Sequence, residues 1–205
     1  MKLEPVSLEL GEVLCGPWTD TTHVYFPSDS LISLIAVVDD GKGLEVGMVG
    51  REGMFGVSLA LGSPKSATRA LVQAAGTALR MRAAPFAEEL KRNPALQRAA
   101  FRHAHVGMAT AIQIAACNNS HVVDQRCALW LLMTSDHLGA NSFYLTQVFL
   151  AQMLGVRRTG VSEAAARLHR RGLVSYRRGS VSILNRAGLV DAACGCYGTI
   201  RRLRA

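Results

Sequence analysis

Short runs of β-branched and aliphatic residues, separated by turn residues, fill the first 82 positions of the chain. Such runs are typical of β-strands. Several of them with frequent turns predict an antiparallel β-roll of the jelly-roll kind. The glycine-containing segments 39–42 and 75–76 are predicted to be turns. The strands are predicted at residues 24–26, 31–38, 44–49, 69–74 and 77–82.

The pattern changes to a helical period after residue 82. A short helix is predicted over 83–90, and a long one over 94–117, where Asn93 is placed to cap it and Pro94 occupies its first position. Apolar residues at three-and-four spacing form a stripe along the long helix, and further apolar residues widen the apolar surface to two faces. We therefore expect one face to pair with a second copy of the chain; a core helix of a monomer is the alternative. The predicted dimer residues are Phe101, Ala104, Met108, Ile112 and Ala115.

The second part of the chain is predicted to be a winged helix-turn-helix. A polar hinge at 118–120 precedes a helix over 124–138, and two helices, 147–153 and 157–170, follow with Gly155 in the turn between them. Small Ala151 allows the two helices to approach, and Val161 is placed to pack the second helix on the first. Strands at 173–176 and 181–184 predict a wing, and Asn185 is placed to cap a last helix with a basic end.

One face of the second helix of this pair carries side chains whose length and hydrogen-bonding groups suit base edges and phosphates. Thr146 is the predicted cap of the first helix, and two arginines at the wing tip are placed to touch phosphates. An ordinary packing pair of helices and a solvated turn are the alternatives. The predicted DNA-binding residues are Thr146, Arg157, Arg158, Thr159, Ser162, Glu163, Arg177 and Arg178.

The charge distribution divides the chain at the predicted hinge, between residues 117 and 118. The net charge of +8 lies wholly in residues 118–205, which hold 12 arginines, no lysine and four acidic residues, whereas residues 1–117 are balanced. A neutral part joined to a basic one predicts a regulatory or assembly domain over 1–117, which includes the predicted dimer helix, and a polyanion-binding domain over 118–205.

Composition limits the class of protein further. At 205 residues and 49% hydrophobic the chain is predicted to be folded rather than disordered. It has no run of 18 apolar residues, and acid and proline come too early for a signal peptide, so we expect a cytoplasmic protein without a membrane partner. Neither a catalytic constellation nor a metal site is predicted, and no cofactor can be named.

Cysteine and histidine residues provide the remaining candidate chemistry. Cys194 and Cys196 would point about 200° apart on one helix, which predicts packing rather than metal binding. His103 and His105 are expected to be polar residues of the dimer interface, with metal, haem or pH sensing as the alternative. Cys117 and Cys127 flank the hinge and are candidates for a response to oxidants.

Three segments resemble the Crp/Fnr family of bacterial transcription regulators, and the similarity extends over nearly the whole chain. They are VYFP at 24–27, VGREGM at 49–54 and FLAQMLGVRR at 149–158. The resemblance implies a cyclic-nucleotide-binding-like sensor domain, a homodimer, a palindromic promoter site in double-stranded DNA, and RNA polymerase as a further candidate partner. It also implies that Arg158 contacts guanine.

The chain departs from the cyclic-AMP-binding members of that family. Where they have Gly-Glu-Leu and Arg-Ser-Ala, it reads Gly56-Val57-Ser58 and Thr68-Arg69-Ala70. We therefore expect no cyclic AMP binding. Only Cys15 precedes residue 117, too few cysteines for the N-terminal iron–sulfur cluster of other members. The leading hypothesis is a dimeric, sequence-specific transcription regulator, not an enzyme. The alternative is a redox, haem or metabolite sensor whose basic domain serves another nucleic-acid or protein partner.

Overall fold

The computed structural model describes residues 3–38, 43–177 and 179–204. The chain forms two compact units. The first comprises Met1–Val37 and Gly47–Met108, and the second comprises Val38–Val46 and Ala109–Ala205. One long helix therefore begins in the first unit and ends in the second.

Two β-sheets make up most of the first unit. One has the strand order β1-β7-β3 and the other β2-β6-β4-β5, and the pairs β1–β7, β3–β7, β2–β6 and β4–β6 are antiparallel. The predicted N-terminal antiparallel β domain is thus confirmed. The strands are β1 (Glu4–Leu8), β2 (Val13–Cys15), β3 (His23–Pro27), β4 (Leu31–Val37), β5 (Gly43–Val49), β6 (Arg69–Ala74) and β7 (Gly76–Arg82).

The first unit contains two clusters of buried apolar residues. Ile32 and Val72 are wholly buried in the first cluster, where Tyr25 and Phe55 pack with them. The second cluster lies under the helix α1 (Ala83–Arg92) and includes Phe86, which is 1% exposed. Burying an aliphatic or aromatic side chain contributes about 1.5–3 kcal/mol, so these clusters are the main source of stability in this unit.

Strands β6 and β7 do not form the hairpin that their short connection suggests. β6 lies in the four-stranded sheet and β7 in the three-stranded sheet, so the chain crosses between sheets at Ala75. A Cβ atom on Gly76 would lie 2.7 Å from Asp29 Oδ1 and 2.9 Å from the backbone nitrogen of Ser30. The glycine therefore permits this crossing by close backbone approach. The turn predicted at 39–42 lies outside the described residues.

The long helix α2 (Pro94–Ser120) is longer than predicted. Asn93 caps it, since its Oδ1 accepts a hydrogen bond from the Leu96 backbone nitrogen at 3.1 Å. The hinge predicted at 118–120 is wrong: these residues are helical, and the backbone nitrogen of His121 still donates to the Cys117 carbonyl oxygen at 3.0 Å. The segment holds no glycine or proline, so polar side chains alone do not end the helix.

The second unit is built around the helix α3 (Val123–Leu138). Every residue of α3 from Arg126 to Ser135 is buried, because the four helices that follow it in the chain all pack against it. Three short strands form a sheet in the order β8-β10-β9. The elements after α3 are β8 (Ser142–Tyr144), α4 (Gln147–Leu154), α5 (Arg158–Arg170), β9 (Val174–Arg177), β10 (Ser180–Ile183), α6 (Arg186–Ala192) and α7 (Cys196–Arg204).

Two features of this unit differ from the prediction. Strand β8 was not predicted; it adds a third strand to the wing by pairing with β10, with Phe143 opposite Val181. The last helix is not continuous but divides into α6 and α7 around Cys194. Asn185 does cap α6, since its Oδ1 accepts from the Gly188 nitrogen at 2.9 Å. Among the described residues no helix combines the length and apolarity needed to cross a bilayer.

Candidate DNA-binding site

Helices α4 and α5 form the predicted helix-turn-helix. The Thr146 side chain caps α4 by accepting a hydrogen bond from the Phe149 backbone nitrogen at 3.2 Å. α4 ends at Gly155, whose φ of +61° lies in the left-handed region that favours glycine. A Cβ atom there would lie 2.8 Å from Leu44 Cδ1. The positive φ is what favours glycine at this turn, since the Leu44 methyl group lies at the end of a flexible side chain.

The two helices pack through the residues that the sequence pattern indicated. Val161 of α5 and Leu150 of α4 are wholly buried, and Ala151 is 6% exposed. A hydrogen bond of 2.7 Å from Ser162 Oγ to Gln147 Oε1 also joins the helices. Ser162 is half-buried and bonds to Gln147 within the protein, and its contact with DNA stays a prediction.

An ion pair that the sequence did not indicate holds α5 on α3. The Arg167 guanidinium donates from Nε to Asp124 Oδ2 at 2.6 Å and from Nη2 to Oδ1 at 2.7 Å. These hydrogen bonds hold the pKa of the Asp124 carboxyl below its usual range and raise the pKa of Arg167. The two parallel, charge-assisted hydrogen bonds connect the outer part of α5 to the start of α3.

The outer face of α5 presents side chains at the first turn of the helix. Arg157, Arg158 and Thr159 are exposed there, and Glu163 is exposed one turn later. The Glu163 Oε2 lies 3.6 Å from Arg167 Nη1, a solvent-exposed pair that contributes little to stability. Four of the predicted reading residues are therefore accessible to a ligand on this face.

The wing lies in the same unit as α5. Arg177 ends β9 and is exposed, whereas Arg178 lies outside the described residues. The backbone folds tightly at Gly179, which has a φ of +82° and would place a Cβ atom 2.8 Å from the Tyr144 ring. Other exposed arginines of this unit are Arg170 at the end of α5, Arg171 after it, and Arg201 and Arg202 in α7. Exposed cations of this number suit a polyanionic partner.

Helix α2 carries an exposed apolar stripe. Phe101 is 45%, Met108 58% and Ile112 64% exposed, and Ala115 is exposed one turn further along. Ala104, the remaining predicted dimer residue, is half-buried. Large apolar side chains at this spacing on one helix face are unusual on a monomer surface and mark an interaction site.

The two histidines of α2 have different surroundings. The His103 ring lies against the loop before Phe55, with its Nε2 3.3 Å from the nitrogen and 3.0 Å from the oxygen of Met54. A Cβ atom on Gly53 would lie 2.3 Å from the same ring. His103 is therefore a packing residue of the first unit rather than part of the exposed stripe, whereas His105 is exposed.

Residues 56–58 and 68–70 stand where the family resemblance places the nucleotide-binding residues of cyclic-AMP-binding members. Gly56, with a φ of +94°, leads into a single 3-10 turn, Val57–Leu59. Val57 supplies no carboxylate for a ribose hydroxyl. Arg69 begins β6 and is half-buried.

Cys194 and Cys196 do not lie on one helix, so the argument that their thiols diverge is wrong. Cys194 lies in the connection after α6, and Cys196 is the first residue of α7. Both side chains are buried, and the Cys194 Sγ lies 3.4 Å from the Cys117 Sγ. All five cysteines are free thiols.

Comparison with known proteins gives the same picture of the fold. Residues 125–192 match the family model of the Crp-like helix-turn-helix domain. No curated protein sequence matches the chain. FixK2 from Bradyrhizobium japonicum has a similar structure, with a TM-score of 0.81 and 16% identity over 95% of this chain and 98% of that chain.

Two further solved structures are similar over most of their length. A CRP/FNR-family transcriptional regulator from Thermus thermophilus has a TM-score of 0.75 and 23% identity, covering 93% of this chain and 98% of that chain. The c-di-GMP-responsive global regulator CLP of Xanthomonas campestris has a TM-score of 0.72 and 15% identity, covering 89% of this chain and 94% of that chain. Both neighbours are transcription regulators rather than enzymes.

Proposed function

Because the chain has the fold of the Crp/Fnr transcription regulators and carries a Crp-like helix-turn-helix domain, we propose that it regulates transcription as a homodimer bound to a palindromic promoter site. The observation that carries the proposal is the first turn of α5, where Arg157, Arg158 and Thr159 are exposed together on a helix that packs against α3 and α4. A helix presented in this way enters the major groove with its N-terminal residues against base edges.

The residues of α5 and of the wing have different proposed roles. The Arg158 guanidinium has the fork geometry that matches guanine O6 and N7, and Glu163 is placed to accept from cytosine N4. Arg177 at the wing is proposed to contact phosphate, with Arg178 beside it in sequence. Thr146 supports the site indirectly by capping α4.

The dimer is supported by the exposed stripe on α2. Pairing through Phe101, Met108 and Ile112 would remove three large apolar side chains from water. A two-fold axis through this helix would relate two α5 helices, so we expect half-sites with centres about 34–36 Å apart, one turn of DNA. The proposed location of the protein is the cytoplasm. RNA polymerase is the further partner that we propose, for the case in which the bound dimer activates transcription.

Replacement of Arg158 distinguishes base reading from general attraction to DNA. A site is first selected from random duplexes with the purified full-length protein, and anisotropy titrations then compare it with a scrambled duplex. Arg158→Ala is expected to cost about 1–3 kcal/mol on the selected site and to relax the preference at one base pair per half-site. Arg177→Ala should weaken binding to both duplexes and lower the log–log salt slope by about one.

Arg92→Ala is the matched control, because Arg92 is exposed in the first unit and should leave both affinities unchanged. Equal losses on both duplexes for Arg158→Ala would make Arg158 a phosphate contact. If selection yielded no preferred sequence, the proposal of a sequence-specific regulator would be wrong.

The sensor domain is proposed not to bind cyclic AMP. Val57 stands where a carboxylate would have to bind the ribose, and a valine cannot accept a hydrogen bond from a hydroxyl. Calorimetric titration with millimolar cyclic AMP is expected to give only heats of dilution. A saturable isotherm at micromolar ligand would contradict this and place the pocket elsewhere in the β-roll.

A further inference from the structure

Four side chains with metal-ligating atoms converge at the end of α2. The Sγ atoms of Cys117, Cys194 and Cys196 and a ring nitrogen of His121 all lie within 4.8 Å of one another. The Cys196 Sγ lies 3.7 Å from His121 Nδ1, and the Cys117 Sγ lies 3.4 Å from the Cys194 Sγ. The three cysteines are buried and His121 is half-buried. We call these four residues the Cys3His cluster.

Helical geometry explains how each half of the cluster forms. Cys117 and His121 are four residues apart at the end of α2, where the backbone nitrogen of His121 donates a hydrogen bond to the backbone oxygen of Cys117. Residues at this helical spacing have their side chains on one face. Cys194 and Cys196 lie at the break between α6 and α7, where the chain leaves the helix and turns. The break allows two thiols separated by one residue to face the same point.

Groups that can stabilise negative sulfur lie next to the cluster. The Gln113 amide donates from Nε2 to the Cys196 Sγ at 3.1 Å. The buried Arg126 guanidinium interacts favourably with Cys117 and Cys194. One amide donor and one cation are therefore positioned to stabilise negative sulfur.

We propose that the Cys3His cluster binds one Zn²⁺ ion per chain. Three thiolates and one imidazole form a donor set of structural zinc sites, with Zn–S distances of about 2.3 Å in a tetrahedron. Ideal sulfur–sulfur separations in such a site are about 3.8 Å, so the separation of 3.4 Å between Cys117 and Cys194 needs only a small adjustment. Binding releases the thiol protons to solvent.

Four protein ligands leave no coordination position open for a substrate, so the site would be structural or sensory rather than catalytic. It would join the end of α2 to the break between α6 and α7, within the second unit. Since the ligands come together only in the folded chain, zinc should stabilise that unit by mass action. The proposal is independent of DNA binding, because its tests measure metal content, absorption and unfolding.

A disulfide between Cys117 and Cys194 is the competing interpretation. It would need an oxidant and a sulfur–sulfur distance of about 2.0 Å. Such a bond would involve neither Cys196, which accepts a hydrogen bond from Gln113, nor the nearby His121. Zinc uses all four groups, and therefore the geometry favours the metal.

Metal titration of the reduced, metal-stripped full-length protein is the test. One equivalent of Zn²⁺ per chain is expected to bind and to raise the melting temperature. Co²⁺ in its place should give the visible bands of a tetrahedral ion and a thiolate charge-transfer band. Cys194→Ser should abolish stoichiometric binding, and His121→Gln should keep the charge-transfer band while changing the visible bands. Gln113→Ala should weaken the affinity about 10- to 100-fold, as expected for an outer-shell partner.

Cys15→Ser is the matched control, because Cys15 is a buried thiol of β2 outside the cluster and should leave the stoichiometry unchanged. Circular dichroism of each variant checks the fold; His121 is half-buried, so its variant remains informative even if a cysteine variant unfolds. Failure of the reduced protein to bind zinc would overturn the proposal, as would stoichiometric binding that survives in folded His121→Gln with an unchanged Co²⁺ spectrum. Mass spectrometry of the intact protein without reductant identifies the disulfide. If the disulfide is found and the reduced protein binds no zinc, the proposed metal site is wrong.

Discussion

A chain carrying Met108→Glu and Ile112→Glu is expected to sediment as a monomer, whereas the unaltered chain sediments as a dimer. The two side chains are 58% and 64% exposed on α2 and lie four residues apart on one face. In a dimer their replacements would bring carboxylates together at an apolar interface. Like charges without partners in such a place are strongly unfavourable.

The effect on DNA should be equally large. A dimer binds two half-sites at once, and the second contact benefits from a high effective concentration. The monomer is therefore expected to bind the full site about 10²- to 10⁴-fold more weakly, with no new defect at a single half-site. Sedimentation velocity gives the assembly state, and anisotropy on full-site and half-site duplexes gives the affinities.

Two exposed apolar residues outside the stripe provide the control. Leu10 and Leu61 are 49% and 62% exposed in the first unit, so Leu10→Glu with Leu61→Glu adds the same charge without touching α2. This variant should remain a dimer. If the Met108 and Ile112 variant also remained a dimer, the interface would lie on another surface.

Leu150→Ala is expected to destabilise the second unit by about 2–5 kcal/mol, the range for truncating a buried leucine. Leu150 is 0% exposed in α4, where it packs with the buried residues of α5. The truncation removes contacts and leaves a cavity between the two helices that present the DNA-reading face. DNA affinity should therefore fall as the temperature approaches the lowered melting point, while the α2 dimer is retained at lower temperature.

Val148→Ala makes a matched comparison within the same helix. Val148 is 58% exposed, and an exposed substitution of this kind should change stability by no more than about 0.5 kcal/mol. Urea unfolding followed by circular dichroism measures both variants. Equal effects at the two positions would mean that α4 packs through a different face.

The helix-turn-helix was predictable because its information is local. Thr146 as a cap, Gly155 at a positive φ and the spacing of Val161 depend on neighbours within a few turns of helix. The exposed stripe on α2 could also be anticipated, since large apolar residues at three-and-four spacing share a face whatever surrounds them. The arginine excess after residue 117 predicts a polyanionic partner from the sequence alone.

Sheet membership and the continuity of helices were decided by tertiary structure. The sequence of β6 and β7 predicts a hairpin, yet they belong to different sheets, because strand partners are chosen by packing across long sequence separations. β8 is only three residues long and forms because β10 offers it an edge. The segment 118–120 stayed helical despite its polar residues, since it holds no glycine or proline and polar residues lower helix propensity only slightly.

What the sequence determined by itself was the change from strands to helices after residue 82, the helix-turn-helix with its exposed first turn, and the basic character of the second part. Those features arise from local periodicity, capping and charge, which need no knowledge of distant residues. Only the tertiary structure brought Arg167 to Asp124 and the thiols of Cys117, Cys194 and Cys196 to His121. In both places, residues far apart in the chain come together because of the packing around α3 and the break between α6 and α7. The spacing of residues within a short segment predicts neither the packing nor the break.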